Sequence, residues 1–454
     1  MDNKEYIQLL IKNARVAQLK YEKFNQKQVD VLVKAIARVV YDNAVDLARM
    51  AVDETQMGLF EDKIKKNKGK ANIIWNSLKT KKSVGIISNN PATGIVEVAK
   101  PMGVVGVVSP CTNPIVTPMC NAMFALKGRN SIIIAPHPRA KKCAKHLVNL
   151  FNEAIKKYDA PENLIQVIDE PTNELTGELM KAVDVIVATG GYGMVKAAYS
   201  SGKPAYGVGV GNVQCILDRD IDTKDAITKI ITGRTFDNGI ICSGEQTIII
   251  HEDDYANVIK ELKANGVYYI DGGEEREKLR KAVFVNGVMN KDLVGQSAAK
   301  IAEIAGIKLP EGTKMIAVRA DGIGRMDLFS KEKMCPVIAT YTYKTFKDAI
   351  DIAIANLEVE GMGHTIAIHS NNKENIEYAA LTVHVCRVLV NQIGATMNGG
   401  SFFNGYAATT TLGCGSWGNN SISENFDYKH LINITRISYL LKDVKVPTDQ
   451  EIWE

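Results

Sequence analysis

The chain has 454 residues, of which 46% are hydrophobic and 23% charged, and this length predicts two or three domains. Its 55 basic and 51 acidic residues give a net charge of +4, too small to attract nucleic acid or an anionic membrane. The N-terminal sequence lacks a signal-peptide pattern, and no apolar run reaches the ~20 residues that span a bilayer, so we expect a soluble, unprocessed, cytoplasmic protein.

The first eighty residues have the periodicity of amphipathic helices. Their apolar faces consist of Ile7, Leu10, Ile11 and Ala14, and then of Val29, Leu32, Val33, Ile36, Val39 and Val40. The pattern changes to two β-rich runs around an Asn-Asn-Pro turn, which predicts a hairpin at about residues 84–100. A protruding hairpin in a large enzyme often pairs with another subunit, so we expect a homodimer or a dimer of dimers.

Three continuous apolar runs follow, and each leads into a helical pattern. They are residues 103–110, 131–138 and 183–191. Strands that are apolar on both faces and alternate with helices indicate a parallel sheet covered on both sides. Ligands bind beyond the carboxyl ends of such strands. We therefore expect one ligand-binding rim, formed by residues 109–113, 136–139 and 189–193.

A second series of strand-like runs begins after Cys242 and alternates with helical segments. The runs are TIIIH, KMIAVRA, PVIATYTY, HTIAIHS and RVLVNQ. This pattern predicts a second α/β domain. Residues 421–441 are expected to add a further helix and a strand.

Eight cysteines occur singly along the chain, which indicates free thiols in a reducing cytosol rather than disulfides. Cys143 and His146 have the spacing of metal ligands, but no second pair follows and the surrounding lysines indicate a solvated helix. We predict no metal site. Cys242 lies where a polar turn gives way to a strand-like run, and this context fits either a buried core cysteine or a nucleophile.

Other segments also allow two interpretations. Residues 189–202, TGGYGMVKAAYSSG, fit either a phosphate-binding turn at a helix N-terminus or simple strand-to-helix packing. Asn113 is either an oxyanion donor or part of an Asx turn. His364 follows a flexible Gly-Met-Gly and either faces a cleft or is structural. The glycine-rich residues 207–212 and 399–420 either admit a ligand close to the backbone or form turns.

The runs DNGIICSGEQ, ATGGYGMVKAAYSSGKPAYGVGVGN and TLGCGSWGNNSISEN resemble the CoA-acylating branch of the aldehyde dehydrogenase superfamily. The resemblance covers nearly the whole chain and is strongest to the acylating succinate-semialdehyde dehydrogenases. It implies the α/β aldehyde dehydrogenase fold, with a Rossmann-like cofactor-binding domain, N-terminal helices and an oligomerisation hairpin in residues 1–225. An α/β catalytic domain is implied for residues 226–398, and residues 399–454 would return to the cofactor domain and the subunit interface.

The resemblance also implies a mechanism. Cys242 matches the family nucleophile, which we expect to be activated by a lowered pKa and to form a thioester whose acyl group passes to CoA. Asn113 matches the side-chain donor of the oxyanion hole, with the backbone N–H of Cys242 as its partner. Residues 207–212 replace the run that carries the water-activating glutamate of hydrolytic members, so the thioester would survive until a thiol takes it. His364 is assigned to handling the thioester or the CoA thiol.

For the cofactor, the resemblance assigns residues of the expected rim to the dinucleotide. They are Ser109, Pro110, His137, Pro138, Gly190 and Gly191. Glu332 matches the glutamate that holds the nicotinamide ribose. The neighbouring run HPRAKK contains Arg139, Lys141 and Lys142 but no acid, which favours NADP, with NAD as the alternative.

A succinyl chain needs a cation or several donors at the far end of its pocket. Lys70, at the start of a helical segment, and Ser243, beside the nucleophile, are the candidates; each also fits a structural role, as an exposed lysine and a turn residue. The preferred reaction is the interconversion of succinyl-CoA and succinate semialdehyde. The alternatives are an enzyme for short neutral acyl groups, a hydrolytic aldehyde dehydrogenase, and a non-catalytic assembly protein with the same fold.

Overall fold

The structure, a computed structural model, describes residues 2–442 and 444–454. Its helices are α1 (Asn3–Tyr21), α2 (Gln26–Asp42), α3 (Ala44–Thr55), α4 (Phe60–Leu78), α5 (Val116–Lys127), α6 (Lys141–Lys156), α7 (Asn173–Ala182), α8 (Tyr192–Tyr199), α9 (Thr223–Thr235), α10 (Tyr255–Ala264), α11 (Gly273–Val283), α12 (Ala298–Ala305), α13 (Phe346–Leu357), α14 (Lys373–Thr382), α15 (Gly394–Met397) and α16 (Asp449–Trp453). Its strands are β1 (Gly85–Asn90), β2 (Ile95–Pro101), β3 (Val104–Ser109), β4 (Ser131–Pro136), β5 (Ile165–Val167), β6 (Val185–Thr189), β7 (Ala205–Val208), β8 (Val213–Leu217), β9 (Glu245–His251), β10 (Val267–Ile270), β11 (Phe284–Val285), β12 (Val288–Met289), β13 (Met315–Arg319), β14 (Val337–Tyr343), β15 (Ile366–His369), β16 (Val388–Val390) and β17 (Ile432–Ser438). Within the described ranges, no helix combines the length and the apolar character that crossing a membrane requires.

Five strands form a parallel sheet in the order β5-β4-β3-β6-β7. The three apolar runs predicted β3, β4 and β6 of this sheet, and β5 and β7 are additional. Successive side chains point to opposite faces of these strands, and helices cover both faces. Val105 and Ile132 pack with α2, α5 and α6, whereas Val104 and Ile133 pack with α1 and α7. These side chains are fully buried, and each contributes about 1.5–3 kcal/mol to stability through apolar burial.

A second parallel sheet has the order β10-β13-β14-β9-β8-β15-β16. All residues of β8 are buried, which suits an interior strand of this sheet. The chain therefore changes sheet between Val208 and Val213, earlier than the predicted domain boundary after residue 225. The second α/β unit predicted after Cys242 is present, with β8 as an additional strand.

A small antiparallel sheet completes the fold. The predicted hairpin is formed by β1 and β2, and β17 pairs with the other side of β2. The strand predicted in residues 421–441 is therefore confirmed, but the helix predicted there is wrong, because the segment forms only a 3₁₀ turn at Tyr428–Leu431. The Asp427 carboxylate accepts the N–H of Tyr428, and such local side-chain bonds compete with helix formation.

Candidate active site

Five neighbouring strands of the second sheet bring the catalytic candidates to one edge. Glu332 precedes β14, Cys242 precedes β9 and His364 precedes β15, while Gly211 and Arg387 precede β8 and β16. These strands are adjacent in the order β14-β9-β8-β15-β16 and all run parallel. Their amino ends therefore lie along the same edge, so residues far apart in the sequence become neighbours.

A well-anchored turn carries Cys242 to this edge. Residues 237–239 adopt left-handed backbone conformations, with φ angles of 51°, 53° and 69°. The guanidinium of Arg234 is fully buried and donates to the carbonyl oxygens of Gly239 (2.8 Å) and Glu245 (3.1 Å), on either side of Cys242. Because these hydrogen bonds fix the backbone on both sides of Cys242, this half-buried residue has a defined position.

Gly211 packs directly against the backbone of Cys242. A Cβ atom at Gly211 would lie 2.1 Å from the Cys242 carbonyl oxygen, so no larger residue fits without a shift of the loop. The amide of neighbouring Asn212 is turned away and donates to the Ser330 carbonyl oxygen (2.7 Å). Residues 207–212 thus contribute backbone, and no carboxylate, to the surroundings of the thiol.

The pKa of the Cys242 thiol is raised to about 12, chiefly by burial and further by Glu332 and Cys414, while Arg387 acts in the opposite direction. The expectation of a lowered pKa is therefore wrong, because burial and the neighbouring carboxyl outweigh the single guanidinium. The thiol is protonated at neutral pH, and it must lose its proton when it reacts.

Glu332 is the carboxyl group that most influences this thiol. Its Oε1 accepts the N–H of Gly211 (3.1 Å), and the Glu332 N–H donates to the Glu360 carboxylate (3.1 Å). Burial, followed by the charge of Glu360, raises the pKa of Glu332 to about 8. Glu332 consequently carries a proton at pH 7, and its negative charge opposes thiolate formation at Cys242 only above about pH 8.

We predict that the effect of Glu332→Gln on the reactivity of Cys242 depends on pH. Alkylation of Cys242 by iodoacetamide should accelerate at least about threefold at pH 9, because the substitution removes a charge that raises the thiol pKa. At pH 6.5 the two proteins should react alike, since Glu332 is protonated there. The rate is measured from pH 6 to 10 by mass spectrometry of the Cys242 peptide.

In Glu332→Gln, the alkylation rate should rise about tenfold per pH unit up to pH 10, as expected for a thiol with a higher pKa. In the unsubstituted protein the rise should be less steep between pH 7 and 9, where Glu332 gains its charge. Glu153→Gln, on the surface of α6, is the control and should match the unsubstituted protein. A plateau at neutral pH, or equal rates for Glu332→Gln at every pH, would contradict this description of the thiol.

Asn113 follows β3 and contacts a buried lysine that the sequence analysis missed. The Nζ of Lys66, on α4, donates to Asn113 Oδ1 (2.7 Å) and to Asp237 Oδ2 (2.5 Å). Lys63, one helical turn earlier, reaches the same carboxylate oxygen at 3.2 Å. The three-residue spacing of Lys63 and Lys66 is a signal in the sequence, but exposed Lys65 and Lys68 lie in the same helix, so the spacing alone does not identify the buried pair.

Lys70 lies on the same face of α4 as Lys63 and Lys66. It stands in the middle of the helix rather than at the start of one, because Gly69 does not interrupt α4; a single exposed glycine costs a helix only about 1 kcal/mol. Its Nζ donates to the carbonyl oxygens of Gly399 and Thr409, both at 3.0 Å. Burial lowers its pKa to about 8, while the Cys120 and Cys242 thiols act to raise it.

Ser243 is buried, and its Oγ donates to the carbonyl oxygen of Gly394 (3.1 Å). This contact joins the residue beside Cys242 to the start of α15. The hydroxyl is thus engaged with the backbone, as in the structural interpretation, although it remains next to Cys242 in the chain.

His364 is fully buried rather than exposed in a cleft, and neither ring nitrogen has a hydrogen-bond partner among the described residues. Burial, with a smaller effect of Arg387, lowers its pKa to about 3, so the ring is neutral. Arg387 was missed in the sequence: its guanidinium donates to the His364 carbonyl oxygen (2.8 Å) and to Thr365 Oγ1 (3.1 Å). Its position just before a buried strand, like that of Cys242, was the available signal.

The expected dinucleotide residues lie at the carboxyl ends of the first sheet. They are Ser109 and Pro110 after β3, His137 and Pro138 after β4, and Gly190 and Gly191 after β6. Gly191 caps α8, and a Cβ atom on Gly191 or Gly193 would meet nothing within 4 Å. The turn is therefore open to the close approach of a phosphate at a helix N-terminus, which fits a dinucleotide.

A cavity of about 840 Å³ is lined by Tyr192 and Lys196 of α8, the helix that follows the rim, and also by Gly209, Glu360, Cys414 and Trp417. Glu360 contacts Glu332, and Gly209 is two residues from Gly211, so the cavity extends from α8 toward the edge that carries Cys242. In the described part of the chain, no group of three or more His, Cys, Asp or Glu side chains is arranged to hold a metal ion.

A model of the aldehyde dehydrogenase family matches residues 1–431. The chain belongs to the aldehyde dehydrogenase family. This aldehyde dehydrogenase is 54% identical over 453 residues to the succinate-semialdehyde dehydrogenase (acetylating) of Clostridium kluyveri, with 100% of both chains covered. The family resemblance seen in the sequence is thereby confirmed.

Solved structures confirm the expected fold of this aldehyde dehydrogenase. It matches an acetylating aldehyde dehydrogenase from Geobacillus thermoglucosidasius with a TM-score of 0.94 and 39% identity, over 98% of each chain. It also matches a propionaldehyde dehydrogenase from Rhodopseudomonas palustris with a TM-score of 0.83 and 28% identity, over 95% of this chain and 97% of the other. That structure contains bound CoA and an acylated cysteine.

Proposed function

We propose that the protein is a CoA-acylating aldehyde dehydrogenase that reversibly reduces succinyl-CoA to succinate semialdehyde and CoA. Cys242 attacks the acyl carbonyl, CoA leaves as its thiol, and the acyl group remains on Cys242 as a thioester. The nicotinamide cofactor supplies the hydride that reduces this thioester. The resulting thiohemiacetal anion on Cys242 re-forms its carbonyl as the carbon–sulfur bond breaks, which releases the aldehyde, and the Cys242 thiolate then takes up a proton from solvent.

One observation carries this proposal: residues 207–212, which pack on Cys242 through Gly211, place backbone and no carboxylate there. Without a base placed there to activate water, transfer to a thiol is favoured over hydrolysis. The relative with a bound CoA and an acylated cysteine supports the same chemistry. The neutral ring of His364, buried without a partner among the described residues, suits a hydrogen bond to the thioester or the CoA thiol.

Two cations near Cys242 support an anionic acyl chain. Arg387 acts to lower the pKa of the Cys242 thiol, and Cys242 acts to raise the pKa of Lys70. Lys70 and Arg387 form no ion pair with any described carboxylate. A buried cation without an ionic partner favours an anionic ligand, because the pair compensates the cost of burial. The name of the Clostridium kluyveri relative points to the same substrate.

The test is oxidation of NADPH, and separately of NADH, by the purified protein given succinyl-CoA, acetyl-CoA or butyryl-CoA. We expect succinyl-CoA with NADPH to give the highest kcat/KM, and aldehyde and free CoA to form in equal amounts. A neutral acyl-CoA as the best substrate would contradict the succinyl assignment. Formation of free acid from succinate semialdehyde and NADP⁺ when no CoA is added would support the hydrolytic alternative, and inactivity in every pairing would support the assembly protein.

We predict that Lys70→Met lowers kcat/KM for succinyl-CoA about tenfold more than kcat/KM for butyryl-CoA, because only the former carries a carboxylate to bind. Both constants are measured with saturating NADPH. Lys68→Met, which changes an exposed lysine of the same helix, is the matched control and should leave the ratio as it is. An unchanged ratio in Lys70→Met would assign the acyl carboxylate to another cation.

The cofactor preference rests on Arg139. The fold brings in two acids that the run HPRAKK lacks: Glu170 pairs with Lys141, and Glu54 accepts the backbone N–H of Lys142 (2.8 Å). The exposed Arg139 guanidinium donates only to the Thr55 carbonyl oxygen (3.1 Å) among described residues. It is therefore the cation we propose for the 2′-phosphate of NADP, with NAD as the alternative.

We predict that Arg139→Ala lowers kcat/KM for NADPH about tenfold and changes that for NADH by less than about twofold, since only NADPH carries the 2′-phosphate. The two values are measured with saturating succinyl-CoA. Arg38→Ala, at an exposed position of α2, is the control. An equal loss for both cofactors would assign Arg139 a different role.

We further propose that the sheet formed by β1, β2 and β17 pairs subunits. Exposed apolar side chains lie on this sheet, such as Ile86 of β1 (59% exposed), or follow it, such as Leu440 after β17 (86% exposed), and such side chains favour burial by a second copy. Sedimentation velocity would give a dimer or tetramer if the proposal is correct, and a monomer otherwise.

We also propose that the protein is cytoplasmic. Its eight unpaired thiols suit the cytoplasm, where thiols stay reduced.

A further inference from the structure

A buried charge cluster joins α4 to the two loops that carry Asn113 and Cys242. Its members are Lys63, Lys66 and Asp237, whose side chains are 3%, 8% and 0% exposed. Burial favours the neutral form of Asp237, but the two lysines outweigh burial and lower its pKa, so the carboxylate is charged. Lys63 and Lys66 thus both pair with the Asp237 carboxylate. The Lys66 ammonium group also donates a hydrogen bond to Asn113 Oδ1.

The contact with Lys66 determines which way the Asn113 amide points. An ammonium group only donates hydrogen bonds, so the amide atom that faces Lys66 must be the oxygen, as the 2.7 Å contact has it. The amide NH₂ is then directed away from Lys66. An asparagine serves as an oxyanion donor only in this orientation, because the reversed amide would present its oxygen to a negative charge.

Asp237 holds Lys66 and also begins the turn that leads to Cys242. Its Oδ1 accepts the N–H of Leu59 (2.8 Å), and its own N–H donates to Asp62 Oδ2 (2.9 Å). Gly58 makes room for it, since a Cβ atom there would lie 2.0 Å from Asp237 Oδ1. The same carboxylate therefore anchors the oxyanion donor, through Lys66, and the nucleophile loop.

We propose that Lys66 is a positioning residue that orients the Asn113 amide toward the oxyanion of the tetrahedral intermediate, with Asp237 holding Lys66 in place. The inference rests on the proposed acyl-transfer function and adds a residue to it. Lys66 acts through Asn113, so its contribution exists only while the Asn113 side chain is present.

A double-mutant cycle tests this dependence. The variants are Lys66→Met, Asn113→Ala and the combination, and the readouts are kcat and the rate of CoA release in a single turnover with succinyl-CoA. Lys66→Met should slow both about tenfold or more, whereas adding it to Asn113→Ala should cost less than about twofold, because the donor it orients is already gone. Lys66→Gln, which can still donate to Asn113 Oδ1 without a charge, should recover a large part of the rate.

Lys63→Met is the matched control, because it removes a charge from the same carboxylate without touching the Lys66–Asn113 contact. It should slow CoA release less than Lys66→Met at a comparable change in melting temperature. Equal costs of Lys66→Met in both backgrounds, with an active unsubstituted enzyme, would overturn the inference alone. An unsubstituted enzyme that reduces no acyl-CoA would instead overturn the proposed function and the inference with it.

Discussion

The Cys242→Ala variant is expected to lose acyl-CoA reduction by about 10⁴-fold or more, because the covalent intermediate can no longer form. The fold should survive, since the loop is held by Arg234 and Gly211 through backbone atoms rather than through the thiol. The measurement is NADPH oxidation with succinyl-CoA, accompanied by the melting temperature. Mass spectrometry after acid quenching should find the acyl adduct on the unsubstituted protein only.

Cys143→Ala is the matched control, because it removes another buried thiol from α6, outside the cleft. It should retain activity even if it loses some stability through the small cavity it creates. Retained activity in Cys242→Ala, or an acyl adduct at another cysteine, would contradict the assignment of the nucleophile. Loss of activity in both variants would point to a general effect of thiol removal.

The Asn113→Ala variant is expected to lower kcat by about 10²–10³-fold, the usual cost of removing one oxyanion donor. KM for succinyl-CoA should change much less, because the donor acts on charge that develops after binding. Steady-state kinetics and single-turnover CoA release measure the two effects. A rise in KM at unchanged kcat would make Asn113 a binding residue instead.

Asn113→Asp sharpens this prediction. A carboxylate at position 113 keeps an oxygen facing Lys66, and so keeps the contact that holds the loop, but it has no N–H to donate. The variant should fold normally and be at least as impaired as Asn113→Ala, because its charge opposes the oxyanion. Asn152→Ala, on α6, is the control for loss of an asparagine and should remain active.

Much of the site could be predicted because it depends on local patterns. The apolar runs identified strands of both sheets, and Gly, Pro and polar residues marked where they begin and end. The residues assigned to the dinucleotide follow β3, β4 and β6, at the carboxyl edge that the pattern selected. The 3₁₀ turn in place of a helix near Tyr428 shows the limit of such patterns, since side-chain hydrogen bonds decided that segment.

The charges of the site could not be predicted in the same way. Lys63, Lys66 and Lys70 lie on one face of α4 among other lysines, and nothing in the helix indicates which ammonium groups are buried. Asp237, the partner of Lys63 and Lys66, is far away in the sequence and reaches them only when α4 packs on the loop that leads to Cys242. The position of Arg387 just before an apolar run was visible in the sequence, but its burial and its contact with His364 depend on the pairing of β16 with β15.

The sequence by itself determined the two parallel sheets, the hairpin and the strand edges, because hydrophobic periodicity and turn residues act over a few neighbouring positions. It also singled out Cys242 and Asn113 as residues of the right chemical type in the right context. Only the tertiary structure decided the raised pKa of the thiol, the orientation of the amide and the burial of its lysine. These properties depend on distances between charged and buried groups from separate segments, and the fold alone sets those distances.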